Sequence, residues 1–294
     1  MQQFVSQLLL PVVLAAVMLG VGLGLKPIDF KRVLIQPKAA MVGLSLQILF
    51  LPLLALFIIA VLPLSSAAAA GLFLLSLCPG GATSNLFSFI ARGDVALSVT
   101  LTGLTSLLAP LTLPLFFIAF LSFSNADAEH FVLPLLPAIK QLAMVTLLPV
   151  ILGMVLRWCF PVWASKAQPS IKGVSTFAMI LIVVALIAAN LAVVKGMLSV
   201  NAVAILLLSS VAILSGYVIA RKAGLNEQTQ RTIGLEVGVQ NAGAAMMVAL
   251  AIMQQPALAV VPLMYGILMN VPAFAFVYWS QRQSEQLALH GQSQ

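Results

Sequence analysis

Leu235-Glu236-Val237-Gly238-Val239-Gln240-Asn241-Ala242-Gly243 puts one carboxylate and two amides in the middle of a run, Thr232 to Met253, that is otherwise apolar enough to cross a membrane. On insertion scales an ionised acid at a helix centre costs roughly 2.5 to 3.5 kcal/mol, so such a residue normally faces a cavity, a bound cation or a partner. Glu236 is therefore the first candidate for function. The alternative is a neutral, hydrogen-bonded acid that only packs helices together.

The rest of the chain has the composition that this reading needs. Hydrophobic residues make up 62% of its 294 residues and charged residues 7%, with a mean hydropathy of +1.14. Soluble domains carry about 25% charged residues, so the chain reads as an all-α polytopic membrane protein. The net charge of +7 does not mark a nucleic-acid partner, because the basic residues sit in short loops and no basic stripe carries aromatics. Cys78 and Cys159 lie in apolar runs far from His130 and His290, which points to neither a disulfide framework nor a metal centre.

Charge-free runs cover Phe4 to Leu25, Ala39 to Leu62, Ala67 to Ala91, Val95 to Phe123, Gly173 to Val194, Leu198 to Ala220 and Ala257 to Ser280. Two interrupted runs join them: Phe131 to Phe160, with Lys140 and Arg157 near its ends, and Thr232 to Met253. Each is long enough for about 30 Å of hydrocarbon, which makes nine transmembrane helices. The first lacks the preceding positive charge of a signal peptide, since the first basic residue is Lys26. With the N-terminus outside, twelve Lys and Arg residues fall in the cytoplasm and only Lys195 falls outside. That asymmetry predicts a multi-pass protein of the cell inner (plasma) membrane with an outside N-terminus and a cytoplasmic C-terminus. Asp127 and Glu129 would lie outside, and the polar tail 281–294, which has no apolar period, would hang disordered in the cytoplasm.

Two spans carry helix-breaking chemistry at their centres. In the third, Cys78-Pro79-Gly80-Gly81-Ala82-Thr83-Ser84-Asn85 combines a proline and paired glycines with three residues that cap helices. In the eighth, Gly238 and Gly243 bracket Gln240 and Asn241, with no proline to force a break. These spans cross in opposite directions and each is followed by one more, the pattern of inverted-topology repeats in which the first half lacks its leading helix. Discontinuous helices that meet at the midplane form transporter sites: freed N–H groups attract anions, while carbonyl, hydroxyl and amide oxygens replace the water around sodium. Ser84, Asn85, Ser98, Thr102, Gln47, Gln240 and Glu236 supply such oxygens. Each alone has an ordinary use, because hydroxyls bond back to the preceding turn and amides tie helices together.

The run from Cys78 to Asn85, the following Ala91-Arg92-Gly93-Asp94-Val95-Ala96-Leu97-Ser98-Val99-Thr100-Leu101-Thr102, and the run from Glu236 to Gly243 resemble the bile acid:sodium symporter family, including bacterial relatives of the apical, or ileal, bile acid transporter. The resemblance extends from about Val17 to Trp279. It implies one transmembrane transporter unit over 1–280, with a panel domain (about 4–36 and 131–194), a core domain (about 38–123 and 198–280) and two crossing discontinuous helices in the core. It also implies two sodium sites. Ser84, Asn85, Ser98, Thr102 and Glu236 would hold the first; Gln47, Glu236, Gln240 and the main-chain carbonyls of Val237 and Val239 would hold the second. An organic anion would bind in the crevice between panel and core, near Thr83, Asn241, Met269 and Asn270. Some relatives have His where Met269 stands, the order Gly81-Ala82-Thr83 exchanges the last two residues, and Val239 replaces a frequent Met. The first two differences touch the cargo side, so the ion is better specified than the anion.

The expectation is thus a sodium-coupled symporter of an organic anion, bile-acid-like or smaller, working by alternating access with Na+ as coupling ion and no other cofactor. A proton-coupled permease or exporter on the same fold, with Glu236 carrying the proton, is the nearest rival. An intramembrane enzyme would want paired carboxylates or a nucleophile beside a base, and the chain has one deep acid and no membrane-embedded His. A purely structural or receptor role has no positive feature in its favour.

Overall fold

The computed structural model describes residues 5–26, 28–29, 37–123, 131–188 and 199–291. The expectations for Lys31, Arg32, Asp127, Glu129 and Lys195 fall outside them. The described residues are helical nearly throughout. In chain order the helices are α1 (Leu10–Gly24), α2 (Pro37–Val61), α3 (Ser66–Ser76), α4 (Ala82–Ile90), α5 (Val95–Phe123), α6 (Leu135–Cys159) and α7 (Pro161–Ala188). There follow α8 (Val200–Lys222), α9 (Glu227–Gly238), α10 (Ala242–Ile252), α11 (Pro256–Leu268) and α12 (Asn270–Gly291).

Seven helical segments among the described residues are long and apolar enough to cross a membrane. The protein is an integral membrane protein. The third and eighth expected spans are absent from those seven because each is a pair of shorter helices, α3 with α4 and α9 with α10. The chain unwinds over Leu77–Gly81 in one pair and Val239–Asn241 in the other.

Two local expectations are corrected. The stretch 161–172, expected as a cytoplasmic loop between Arg157 and Gly173, is the first part of α7, which runs unbroken from Pro161 to Ala188. By sequence Lys166 and Lys172 mark the boundary of the span, but Pro161 stands at the position where a helix start tolerates it, and no helix-ending signal follows before Gly173 except Pro169, which α7 accommodates. The tail, expected to be disordered, continues α12 to Gly291, where polar residues of good helix propensity extend an already formed helix.

Proline also shapes the long helices. The π-helical turns Val5–Leu9, Leu46–Phe50 and Ala143–Leu147 are each followed within two residues by a proline, namely Pro11, Pro52 and Pro149. Proline donates no N–H and its ring crowds the carbonyl four residues back, so a widened turn relieves the clash. The turn in α2 carries Gln47.

Close helix contacts fall where side chains are smallest. A Cβ on Gly22 of α1 would lie 2.2 Å from the Val150 carbonyl of α6, and one on Gly153 of α6 would lie 2.6 Å from the Leu19 carbonyl. Likewise a Cβ on Gly216 of α8 would lie 2.8 Å from Gly234 Cα of α9. Lipid tails are as apolar as leucine, so association within a bilayer depends on such close approach rather than on burial from water. Helices α1, α6 and α7 pack as one group, and α8 holds α9.

Candidate functional site

The two unwound segments cross and pair with each other. Gly80 and Gln240 form an antiparallel bridge, and Asn241 N–H donates to the Pro79 carbonyl at 3.0 Å. Backbone groups that lost their helical partners thus satisfy one another, which a break in a dry interior requires. Asn241 caps α10, its Oδ1 accepting from Ala244 N–H at 3.1 Å. The end of α9 is held as firmly, because Ser209 of α8 and Tyr265 of α11 both donate to the Gly238 carbonyl at 2.9 Å.

Glu236 sits in the last turn of α9 with 2% of its surface exposed. Ser98 Oγ of α5 donates to its Oε2 at 2.8 Å, and Thr102 Oγ1, one turn further on, donates to its Oε1. From the first broken pair, Gly80 approaches so closely that a Cβ there would lie 2.1 Å from Glu236 Oε1 and 3.3 Å from Ser84 Oγ. Ser84 donates to the Gly81 carbonyl at 2.8 Å. Asn85, 3% exposed, leaves its Oδ1 without a donor. Ser98 and Thr102 of α5 are thus joined to Glu236 of α9, Ser84 of α4 lies beside Gly80 at the crossing, and Asn85 is buried in the same turn of α4 as Ser84.

Gln47 reaches the crossing from α2. Its Nε2 donates to the Cys78 carbonyl at 3.1 Å and to Gln240 Oε1 at 2.7 Å, so one amide joins both broken helices. Its own Oε1 is buried and without a donor. Gln240 Nε2 donates to the Val237 carbonyl at 2.6 Å, whereas no hydrogen bond among the described residues reaches the Val239 carbonyl. Gln47, Cys78, Pro79 and Thr105 border a cavity of about 20 Å³, enough for one water-sized guest.

The residues expected to meet cargo are less concentrated. Asn241 lies in the crossing with its Nδ2 buried and unpartnered, and Thr83 is half-buried in the first turn of α4. Met269 is buried at the joint between α11 and α12, and Asn270 Nδ2 donates to the Gly266 and Ile267 carbonyls, both at 2.9 Å. No hydrogen bond among the described residues links Thr83, Asn241 and Asn270.

Several contributors had no sequence signal. Ser88 donates to Ser98 Oγ at 3.3 Å, and Ser209 and Tyr265 act through the Gly238 carbonyl. Near the base of the site, Arg231 and Gln281 donate to the Ala91 and Ile90 carbonyls at 3.1 and 2.8 Å, fixing the C-terminal end of α4. A serine or tyrosine in an apolar helix looks ordinary until the carbonyl it meets is known.

A family model described as the sodium bile acid symporter family matches residues 11–197. The chain is 30% identical over 280 residues to the sodium-dependent transporter YocS of Bacillus subtilis, covering 94% of this chain and 84% of that protein. It is 30% identical over 236 residues to a probable chloroplastic sodium/metabolite cotransporter of Arabidopsis thaliana, covering 80% of this chain and 57% of the relative. It is also 29% identical over 235 residues to the human sodium/bile acid cotransporter 4, covering 78% of this chain and 52% of the relative. These three relatives bear the names of transporters, and this chain belongs to the sodium bile acid symporter family.

Proposed function

We propose that the protein is a sodium-coupled symporter of an organic anion that works by alternating access, with Glu236 at the centre of two sodium sites. The observation that carries this reading is a 2%-exposed carboxylate at the crossing of two unwound helices, beside buried oxygens that have no donor. Asn85 Oδ1 and Gln47 Oε1 ask for a positive ligand, and a buried acceptor left unpaired costs about 1 to 3 kcal/mol. A proton on Glu236 would supply a single donor. Asn85 Oδ1 and Gln47 Oε1 fall in different sites of this reading, so one proton on Glu236 could not serve both, whereas a cation in each site would.

Ser84, Asn85, Ser98, Thr102 and Glu236 would form the first sodium site. The hydroxyls of Ser98 and Thr102 point their protons at the carboxylate, and rotation about Cβ–Oγ would turn lone pairs to an arriving ion. Gln47, Glu236, Gln240 and the carbonyls of Val237 and Val239 would form the second, with Gln240 Nε2 leaving the Val237 carbonyl as the ion enters. Two sodium ions beside one carboxylate leave one net positive charge in a medium of low dielectric, which an anionic cargo in the crevice would neutralise. That surplus is a physical reason for co-transport. In this reading α1, α6 and α7 belong to the panel, the crossing helices belong to the core, and the two broken pairs complete nine spans arranged as inverted repeats.

Glu236→Gln keeps size and hydrogen bonding and removes the charge. A ligand that binds only the folded state at 100 times its Kd adds about 2.7 kcal/mol of stability, so the sodium-loaded wild type should melt measurably higher in sodium than in potassium. The variant should express and fold, lose that sodium-induced shift and show no sodium-dependent uptake. Sodium-dependent uptake left intact would make Glu236 a packing acid, and loss of only a sodium-independent, pH-dependent activity would establish the proton-coupled reading.

A further inference from the structure

The correction at α7 moves Lys166 and Lys172 from a loop into a long apolar helix, Lys172 the deeper of the two. Lys172 is the twelfth of the 28 residues of α7, and its backbone packs on α1, where a Cβ on Gly20 would lie 3.6 Å from Lys172 Cα. A lysine within a span either snorkels to the interface or faces a counter-charge or a polar cavity. Lys172 is half-buried rather than turned out to lipid, with its Cα and Cβ 3.6 and 3.7 Å from where a Cβ of Gly20 would stand, so its stem lies against the interior of the helix group.

Its neighbours on the same helix face show what that face looks onto. Gln168, one turn earlier, places Nε2 2.6 Å from where a Cβ of Gly24 would stand, with Val99 of α5 at 3.8 Å from that point. Met179, two turns later, places Cε 2.9 Å from where a Cβ of Gly243 would stand, and Asn241 Oδ1 is 3.3 Å from the same point. This face of α7 therefore runs from beside Val99, the residue after Ser98, to the cap of α10. Lys172 is half-buried there and makes no hydrogen bond or ion pair through its ammonium among the described residues.

We propose that Lys172 is the counter-charge for the carboxylate of the cargo, bound between this face of α7 and the helix crossing. The proposal rests on the sodium-symport reading and supplies its coupling step. Without sodium the Glu236 carboxylate repels an incoming anion and draws on the field of Lys172. Once sodium neutralises Glu236, the same ammonium is left to the anion, so sodium binds first and cargo second. The ligand class is a small or amphipathic organic acid whose single carboxylate enters the crevice ahead of its apolar body.

The test uses the purified full-length protein in saturating sodium, with three matched probe pairs: benzoate and benzamide, pyruvate and pyruvamide, cholate and its uncharged amide. Thermal shift and isothermal titration are read for the wild type, Lys172→Met, which keeps an apolar stem, and Lys172→Arg, which keeps the charge. At least one carboxylate should bind the wild type while its amide does not. Lys172→Met should weaken that binding about 30-fold or more, Lys172→Arg should stay within about threefold, and the shift caused by sodium alone should persist in all three proteins, no smaller in Lys172→Met than in the wild type. The proposal is overturned if Lys172→Met binds carboxylates as the wild type does, if the amides bind as tightly as the acids, if the sodium-loaded wild type binds none of the six, or if Lys172→Met also loses the sodium shift. Absence of a sodium shift in the wild type would instead remove the symport reading beneath it.

Discussion

At the scale of single residues, the site depends as much on an absent side chain as on the acid. Gly80 lets the first broken helix come against Glu236, and a Cβ there would stand 2.1 Å from Oε1 and 2.9 Å from Cδ. The carboxylate cannot swing away freely, because Ser98 and Thr102 hold it from α5. Gly80→Ala should therefore displace Glu236, cost about 1 to 3 kcal/mol of stability as overpacked cores do, and abolish or strongly reduce the sodium-induced thermal shift. Gly81→Ala is the matched control. The nearest atom to a Cβ at Gly81 is Asn241 Cβ at 3.6 Å, an ordinary contact, so this variant should retain the shift. Equal behaviour of the two alanines would mean that the close approach at Gly80 does not shape the ion site.

At the scale of elements, the question is how two helices can stop in the middle of a membrane. For α3 and α4 the answer is legible in the residues, since Pro79 and the paired glycines cannot continue a helix and Ser, Thr and Asn follow. For α9 and α10 it is only half legible. Gln240 and Asn241 mark the place, but the partners that make the break affordable come from elsewhere: the Pro79 carbonyl, the Gln47 amide, and the hydroxyls of Ser209 and Tyr265 on the Gly238 carbonyl. Such contacts span tens to hundreds of residues, and no local pattern announces them. The same locality explains the misplaced start of α7, where two lysines looked like a loop because the helix against which Lys172 packs, at Gly20, lies far away in the chain. The shared Gly238 carbonyl gives a prediction of its own. Tyr265→Phe leaves Ser209 in place and should cost about 1 kcal/mol in a denaturation midpoint. Ser209→Ala combined with Tyr265→Phe removes both donors and should cost more than the sum of the single changes. Additive losses would show that the Gly238 carbonyl finds another donor.

At the scale of the whole molecule, the orientation in the bilayer rests on charge. Taking Lys166 and Lys172 into α7 leaves ten cytoplasmic Lys and Arg residues against one outside, so the bias that orients the chain survives the correction. Counting each broken pair as one span and the N-terminus as outside, the turn between α2 and α3 faces out and the turn between α8 and α9 faces in. Pro63 is exposed in the first, and Gln228 is exposed just past the second, in the first turn of α9. In a variant carrying Cys78→Ala and Cys159→Ser, a cysteine at Pro63 should react in intact cells with a membrane-impermeant maleimide, and a cysteine at Gln228 should react only after permeabilisation. Between these two sites lie α3 with α4, α5, α6, α7 and α8, an odd number of crossings only if α3 and α4 together cross once. Labelling from the same side would therefore disprove the single crossing and the nine-span arrangement, while labelling from exchanged sides would keep the arrangement and invert the protein in its membrane.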